Sequence, residues 1–594
     1  MFDCVVRVAV AGRSEPGDMR GEPVTPGVRR ALLMSCSLGT LPGAEHSVDT
    51  MATHLAARGF ECRVLRDAET TRAGVKAALG LLAAQTGERD LVTIYYAGHG
   101  YARALASPDG RTTCTFVLAT ADMRDSTATK FRGIVDAELR EWLGVVAMRT
   151  SSIAVVLDCC HAAAMVPGGG EEVSGAALRS MQAQLGTLVE EACKRGSSRG
   201  RGDLVYVVSS ASPEIANEAK DRQGRPIYAF TDRLVRTLEQ VGGAPVNWDE
   251  VVFAATAQMA PVDAIQRPGV GGRRWRRIFG FDDIRTDSWL GAVTDERTIV
   301  LRGGSAMTLA VGDRLLVEPL VLGTHQATMA VVTEVDALRA VLVRPSGAVP
   351  DPPVVRAIRI GRARLPVVRL VGEIDAALRR ALETAPFTVV DGAGDGAIAT
   401  LRGGDGLTLY EGEERLVYWP ASATDVAALI EWVSRIEACR ALADCGRNAP
   451  TPAFRVEVTL DDEGGPMLAD GATLAAGVRL RVRIHNDDRY HALYFAVYRL
   501  TADRAIDLLA RHTAQGLCAL PREYADCRDV LLSWPAALDR ALGERGETVV
   551  VLASHDPLLG IHEVARLGKI LRGRPASSQV RTVLWQLWLR PDAP

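Results

Sequence analysis

Two short segments of this chain each place a reactive side chain just past an apolar run. The first is Ile94-Tyr95-Tyr96-Ala97-Gly98-His99-Gly100, and the second is Ile153-Ala154-Val155-Val156-Leu157-Asp158-Cys159-Cys160-His161. A histidine between glycines is sterically open, and the glycines let another chain approach the backbone closely. In the second segment, strand alternation turns Asp158 and Cys160 to one face and Cys159 to the other. Cys159 then reads as core packing, because a free cysteine behaves as a small buried hydrophobe. Cys160 emerges at the strand end. A thiol with a pKa of roughly 8.5 is partly ionised at neutral pH. A neighbouring histidine can help form the thiolate and later protonate a leaving amine. Backbone N–H groups of Gly100 and Cys160 are placed to hold an oxyanion, worth about 3 kcal/mol per donor. This is the chemistry of thiol proteolysis, provided that the two strand ends are neighbours. The plain alternatives are a loop histidine beside a turn, two core cysteines, and an Asp158 that only caps the next turn. Adjacent cysteines facing opposite ways are poor joint metal ligands and a strained redox pair, so neither zinc nor a vicinal disulfide is expected.

The elements that must carry these segments are legible around them. Ala31–Cys36, Glu61–Arg66, Asp90–Tyr96, Ser151–Leu157 and Leu204–Ser209 read as buried strands. Ala44–Arg58, Thr71–Gln85 and Thr231–Gln240 read as helices between and after them, the first stopped by Gly59. Alternating strands and helices predict an α/β fold, a mainly parallel sheet flanked by helices. Such sheets bind ligands at the carboxyl ends of their strands, where both segments lie. Residues 1–29 read as a loose leader and 30–285 as the α/β domain. Beyond it the texture turns to β: a small all-β domain over 286–360, a mixed α/β segment over 361–449, and a β-sandwich-like domain over 450–594.

The paired motifs Tyr-Tyr-Ala-Gly-His-Gly and Asp-Cys-Cys-His resemble those of the caspase and metacaspase family of cysteine peptidases, above all its bacterial members. The resemblance runs from about Arg30 to about residue 283 and takes in Leu41–Glu45, Phe116–Asp122, Val207–Ser212, Glu218 and Phe230-Thr231. It implies a caspase-like fold with His99 and Cys160 as the catalytic pair. It also implies substrate contacts at Asp158, Ala97 and Ser210. In metacaspases the aspartate two positions before the nucleophile lines the specificity pocket, here Asp158, which implies cleavage after basic residues, Arg above Lys. The sequence departs from the pattern in two places. Ala162-Ala163 replaces the usual Ser-Gly, and the second pocket acid is replaced near His46-Ser47, with Asp49 close by. The basic residues of an aspartate-specific pocket are not found.

Between the halves of the domain, Lys194-Arg195-Gly196-Ser197-Ser198-Arg199-Gly200-Arg201-Gly202 reads as an exposed basic linker. It is also the expected activation cleavage site, after Arg195, Arg199 or Arg201. The resemblance implies protein or peptide substrates, an upstream activating protease or regulatory protein, and a role in bacterial stress signalling or defence. The rival from another class is a catalytically idle caspase-fold adaptor. Calcium, which some metacaspases need, stays open; no acidic cluster argues for it, and no other cofactor or metal is expected.

The whole chain sets outer bounds. Its 594 residues exceed one hydrophobic core, and a net charge of -3 gives no electrostatic case for nucleic acid or a membrane surface. No run of apolar residues is long enough for a spanning helix, and Arg13, Glu15 and Asp18 interrupt the order of a secretory signal. A cytoplasmic protein is expected. Eleven cysteines without CxxC pairs read as reduced thiols.

Overall fold

The architecture comes from a computed structural model. The structure describes residues 27–106, 112–127, 130–159, 204–210, 216–259, 266, 268–284, 289–294, 297–320, 327–344, 353–392, 396–420, 425–445, 452–460, 467–491, 493–509, 517–519, 524–535, 538, 543–555 and 581–590.

The first domain is built on strands β1 (Arg29–Cys36), β2 (Phe60–Leu65), β3 (Leu91–Gly98), β4 (Gly100–Ala106), β5 (Thr112–Leu118), β6 (Ile134–Val135), β7 (Ile153–Cys159), β8 (Leu204–Val208), β9 (Glu218–Lys220), β10 (Pro226–Tyr228) and β11 (Gly269–Gly272). Its helices are α1 (Gly43–Ala56), α2 (Arg72–Gln85), α3 (Asp136–Ala147), α4 (Ala229–Val241) and α5 (Trp248–Met259). Six strands form one sheet in the order β11-β8-β7-β3-β1-β2, and every pairing but that of β11 is parallel. This is the mainly parallel sheet that the alternating elements predict. Every residue of β3 and of β7 is buried. Central strands covered on both faces read as continuous apolar runs for that reason.

The two faces have separate cores. Ala31, Leu33, Tyr95, Ala97, Ala154 and Val156 pack with α1, α4 and α5. Leu32, Met34, Ile94, Tyr96, Val155, Leu157 and Cys159 pack with α2 and α3. The period of two sorts each strand between these cores. Helix α2 starts where Thr71 accepts the N–H of Gly74 at 3.0 Å, and α1 gives way at Gly59, whose φ of 78° suits glycine. A small sheet in the order β4-β5-β6 continues directly from the β3 end.

Six strands then close a barrel in the order β12-β13-β16-β15-β14-β17: β12 (Trp289–Val293), β13 (Thr298–Arg302), β14 (Arg314–Pro319), β15 (Thr328–Val335), β16 (Arg339–Val343) and β17 (Val354–Gly361). The barrel is joined to α5. Arg356 grips Glu250 at 2.6 and 2.9 Å, and Arg302 lies over the Phe253 ring at 4.3 Å. Leu290, Leu320 and Val354 of the barrel region belong to the same apolar core as Trp248 and Phe253.

Next come β18 (Val367–Val371), α6 (Ala376–Glu383), β19 (Thr388–Asp391), β20 (Ala399–Gly403), β21 (Gly406–Glu411), β22 (Glu414–Pro420) and α7 (Val426–Asp444), with sheet order β19-β18-β20-β21-β22. The last region packs a three-stranded sheet against a six-stranded one. The first has the order β23-β25-β29, from β23 (Phe454–Leu460), β25 (Arg479–Asn486) and β29 (Tyr524–Leu531). The second has the order β24-β31-β30-β26-β27 with β28 beside β26, from β24 (Ala472–Ala475), β26 (Leu493–Leu500), β27 (Ile506–Leu508), β28 (Leu517–Ala519), β30 (Arg545–Ser554) and β31 (Arg581–Arg590). Val458, Val482 and Ile484 meet Phe495, Val497, Val549 and Val551 between them. Among the described residues no helix is long and apolar enough to cross a membrane.

Candidate active site

The histidine loop is built by the end of β3. Gly98 is the last strand residue, and a methyl group there would meet the Cys36 carbonyl oxygen at 2.4 Å and Tyr96 Oη at 2.8 Å. Only glycine fits so close an approach of β3 to β1. His99 follows, donating its backbone N–H to the Cys36 carbonyl at 3.3 Å and accepting the Ala119 N–H at 3.1 Å. The Tyr96 hydroxyl lies 2.9 Å from both the His99 and the Ala119 carbonyls. The backbone of His99 is therefore held from both sides. Because His99 and Ala119 share a ladder bond, the next pair, Gly100 and Leu118, is a non-hydrogen-bonded one. That turns the Gly100 N–H away from β5.

The half-buried imidazole has Nε2 at 2.7 Å from Thr40 Oγ1. Thr40 stands on the turn after β1, where its Oγ1 lies 3.2 Å and its N–H 3.0 Å from the Ser37 carbonyl. Ser37 in turn is anchored on Asp67, by its N–H at 2.8 Å and by its hydroxyl. The turn passes through Leu38 and Gly39 at φ 49° and 78°. Burial, first, and then the Arg124 guanidinium hold the His99 pKa below the ordinary histidine range, with a Ser37 hydrogen bond opposing them. The imidazole is thus biased to its neutral form.

The second segment ends at β7, which lies directly beside β3. The two strands run parallel with Ala97 opposite Asp158 and Gly98 opposite Cys159. The adjacency that the spacing alone left open is present. Cys159 packs into the core under α2 and α3, on the face opposite Asp158. Cys160 lies outside the described residues, as do Arg195, Arg199 and Arg201.

Asp158 is fully buried and faces the start of α4. Its Oδ2 accepts the Thr231 hydroxyl at 2.5 Å and the Thr231 N–H at 3.1 Å. Oδ1 is buried with no hydrogen-bond partner among the described residues. Burial pushes the carboxyl up to about 6, while the Thr231 hydrogen bonds and the nearby Ser209 hydroxyl pull the other way. The capping alternative is part of the geometry, although the turn capped is the first of α4 and not the one after β7. Tyr95 completes the cluster, its hydroxyl 2.5 Å from Thr231 Oγ1.

The other sequence candidates sit around this point. Ala97 is buried in register with Asp158. Ser210 and Ser209, just past β8, donate to the Cys159 carbonyl at 3.2 and 3.4 Å. Near the expected second acid, Ser47 is structural: it donates to the Gly43 carbonyl and accepts the Tyr228 N–H at 2.9 Å. Asp49 is spent on a surface pair with Arg66 at 2.7 Å. His46 pairs with Asp221 at 2.8 Å, in the β9–β10 hairpin. Sequence reasoning missed Thr40, the Ser37–Asp67 anchor and Tyr228, whose hydroxyl donates to the Gly98 carbonyl at 3.2 Å. Short polar residues after a strand carry no period, and only Tyr96, inside a quoted motif, was in view.

Comparison with known proteins gives a family for the first part of the chain. No curated protein matches the sequence. Among solved structures, protein GSU0716 from Geobacter sulfurreducens is 21% identical, with a TM-score of 0.31, over 42% of this chain and 93% of that one. The structure of pro-sf-caspase-1 is 12% identical, with a TM-score of 0.27, over 43% of this chain and 96% of that one. Dimeric latent PorU from Porphyromonas gingivalis is 8% identical, with a TM-score of 0.15, over 95% of this chain and 55% of that one. Residues 28–260, which hold all five parallel strands and both candidate segments, match the family model of the caspase domain.

Proposed function

We propose that this protein is a caspase-like cysteine endopeptidase that cleaves proteins after basic residues, with Arg preferred over Lys. The observation that carries the reading is the pairing of β3 with β7, in parallel and with Gly98 opposite Cys159. In the sequence His99 follows Gly98 and Cys160 follows Cys159, and Gly98 and Cys159 lie opposite each other at the carboxyl edge of the sheet.

In this reading the Cys160 sulfur, as thiolate, attacks the substrate carbonyl carbon while His99 holds the thiol proton. The Gly100 and Cys160 N–H groups bind the oxyanion. Collapse of the tetrahedral intermediate breaks the C–N bond, and His99 gives its proton to the leaving amine. Water, deprotonated by His99, then attacks the thioester, and its hydrolysis frees the acid and restores the thiol. Asp158 selects a substrate guanidinium through its unpartnered oxygen, and Ala97 and Ser210 flank the substrate. Since Asp158 is fully buried, a substrate reaches it only after the covering chain moves. A latent form that opens on processing after Arg195, Arg199 or Arg201, or on docking of a regulatory partner, fits that burial. In the cell such latency suits bacterial stress signalling or defence.

The test is a fluorogenic peptide panel that varies the residue before the scissile bond, run on wild type, Cys160→Ala and Asp158→Asn. Asn keeps an oxygen for Thr231, so the α4 cap survives. Turnover is expected only with Cys160 present, and the preference for basic peptides only with Asp158. Equal turnover by wild type and Cys160→Ala overturns the reading. Amino-terminal sequencing of the processed protein is expected to begin at Gly196, Gly200 or Gly202.

A further inference from the structure

In the last region of the chain, among the described residues, one set of acidic and imidazole side chains converges with metal-ligand spacing. Asp488, His491 and His555 each offer one ligand atom, and these atoms all lie within 4.8 Å of one another. Asp488 and His491 stand on the turn from β25 to β26, and His555 follows the last residue of β30. Asp488 Oδ1 lies 3.3 Å from His491 Nδ1, and Asp488 Oδ2 lies 3.2 Å from His555 Nε2. Ligand atoms about 2.0–2.1 Å from a tetrahedral zinc ion are roughly 3.3 Å apart, and the two separations match that length, one at each oxygen of the carboxylate.

The carboxylate is held in place. Its Oδ1 accepts the N–H groups of Tyr490 at 2.7 Å and His491 at 2.9 Å. Asn486 braces the turn, accepting the Asp488 N–H and donating to the His491 carbonyl, both at 2.9 Å. The two rings are the more exposed members, His491 at 65% and His555 at 40% of the side chain, and lie 5.2 Å apart between centroids. A fixed carboxylate with two exposed imidazoles can close on an ion by small ring rotations.

We propose that Asp488, His491 and His555 form a binding site for a divalent transition ion of the zinc class. Two imidazole nitrogens and one carboxylate suit zinc, cobalt or nickel better than calcium or magnesium, which take oxygen ligands. Three protein ligands leave one position for water or an incoming group. The ion also has a structural effect here. Strand β25 belongs to the three-stranded sheet, whereas β26 and β30 belong to the six-stranded one. An ion held at this point clamps the crossover between the sheets to the end of β30. The rival is a plain hydrogen-bonded cluster, with the carboxylate accepting from one or both rings.

The test uses the full chain on a Cys160→Ala background, so that the proposed reactive thiol does not contribute. Cobalt(II) is titrated and its visible d–d bands followed, with zinc as competitor. One equivalent of cobalt is expected to bind through nitrogen and oxygen, without a thiolate charge-transfer band, and to be displaced by zinc. The exposed His491→Ala and His555→Ala changes are expected to leave the fold intact by circular dichroism. Each is expected to weaken binding by more than about 100-fold, the upper end of what losing even an outer-shell partner costs. Zinc is also expected to raise the melting temperature of the parent and not of the double variant. Identical cobalt spectra and melting behaviour in the parent and the double variant overturn the proposal. A plain hydrogen-bonded cluster gives that result.

Discussion

Gly98 and Cys159 are partners in register across two neighbouring parallel strands, β3 and β7. Gly98 also touches a third strand, because a methyl group there would meet the Cys36 carbonyl of β1 at 2.4 Å. One small residue thus fixes the distance from the histidine loop to two strands at once. Gly98→Ala is expected to push the β1 and β3 ends apart and carry His99 with them. A displacement of about 1 Å at reacting groups costs about 100-fold in rate. The peptide assay should show a fall in kcat/KM of that order, with a smaller loss of melting temperature.

The neutral bias of His99 is directly measurable. Burial and Arg124 both disfavour the imidazolium. In the Cys160→Ala protein, where no thiol couples to the ring, NMR titration of His99 should give a midpoint below that of a free histidine. Arg124→Gln removes the second cause, so the midpoint should move up while staying depressed by burial. An unmoved midpoint would mean that Arg124 does not act on the ring.

His54 makes the first domain sensitive to acid. It is buried in α1 with Nδ1 3.1 Å from Arg58 Nη1, and burial, then Arg58, lowers its pKa from 6.5 to about 4. As pH falls below 6.5 the unfolded chain takes up a proton that the folded one refuses until about 4. Stability present above the upper value is therefore lost on acidification, by at most about 1.4 kcal/mol per pH unit. His54→Gln keeps an acceptor for Arg58 and removes the titration. Urea melts at about pH 7 and about pH 5 should show the wild type losing more than the variant, by about 1–2 kcal/mol.

Within the sandwich, Arg499 and Glu547 form a buried pair with two contacts of 2.8 Å. Arg499 also donates to the Leu531 and Ser533 carbonyls at 3.0 Å. Glu547→Ala leaves a buried guanidinium without its counter-charge and is expected to cost about 3–5 kcal/mol. Arg499→Met with Glu547→Leu should recover much of that loss, though not the two carbonyl bonds. Denaturant melts of the three proteins check the order.

The parallel sheet was readable because β1, β3 and β7 each hold a continuous, mainly apolar run and are separated by helix-period runs. Strand β11 was not readable: three of the four residues of Gly269-Val270-Gly271-Gly272 are glycines, depleted in strands, and the segment owes its place to pairing with β8. The hairpin of β4 and β5, and helices α3 and α5, also went unread. At the site, Gly98, His99 and the alternation of Asp158 against Cys159 were visible in the motifs. The partners of His99 and Asp158 were not. Thr40 and Thr231 reach them from elements 59 and 73 residues away, and such contacts leave no local pattern.

The place of β8 has a consequence for a nick between Arg195 and Arg201. Strand β8 follows that stretch, yet it lies hydrogen-bonded along β7, which precedes it. Asp158 likewise caps the later helix α4, accepting from Thr231. A cut there makes two polypeptides and one particle: the pieces would part on a denaturing gel and travel together through a sizing column. Scission would release a tether without dissolving the sheet, so whatever it switches on must be a rearrangement at the strand ends and not the departure of a fragment.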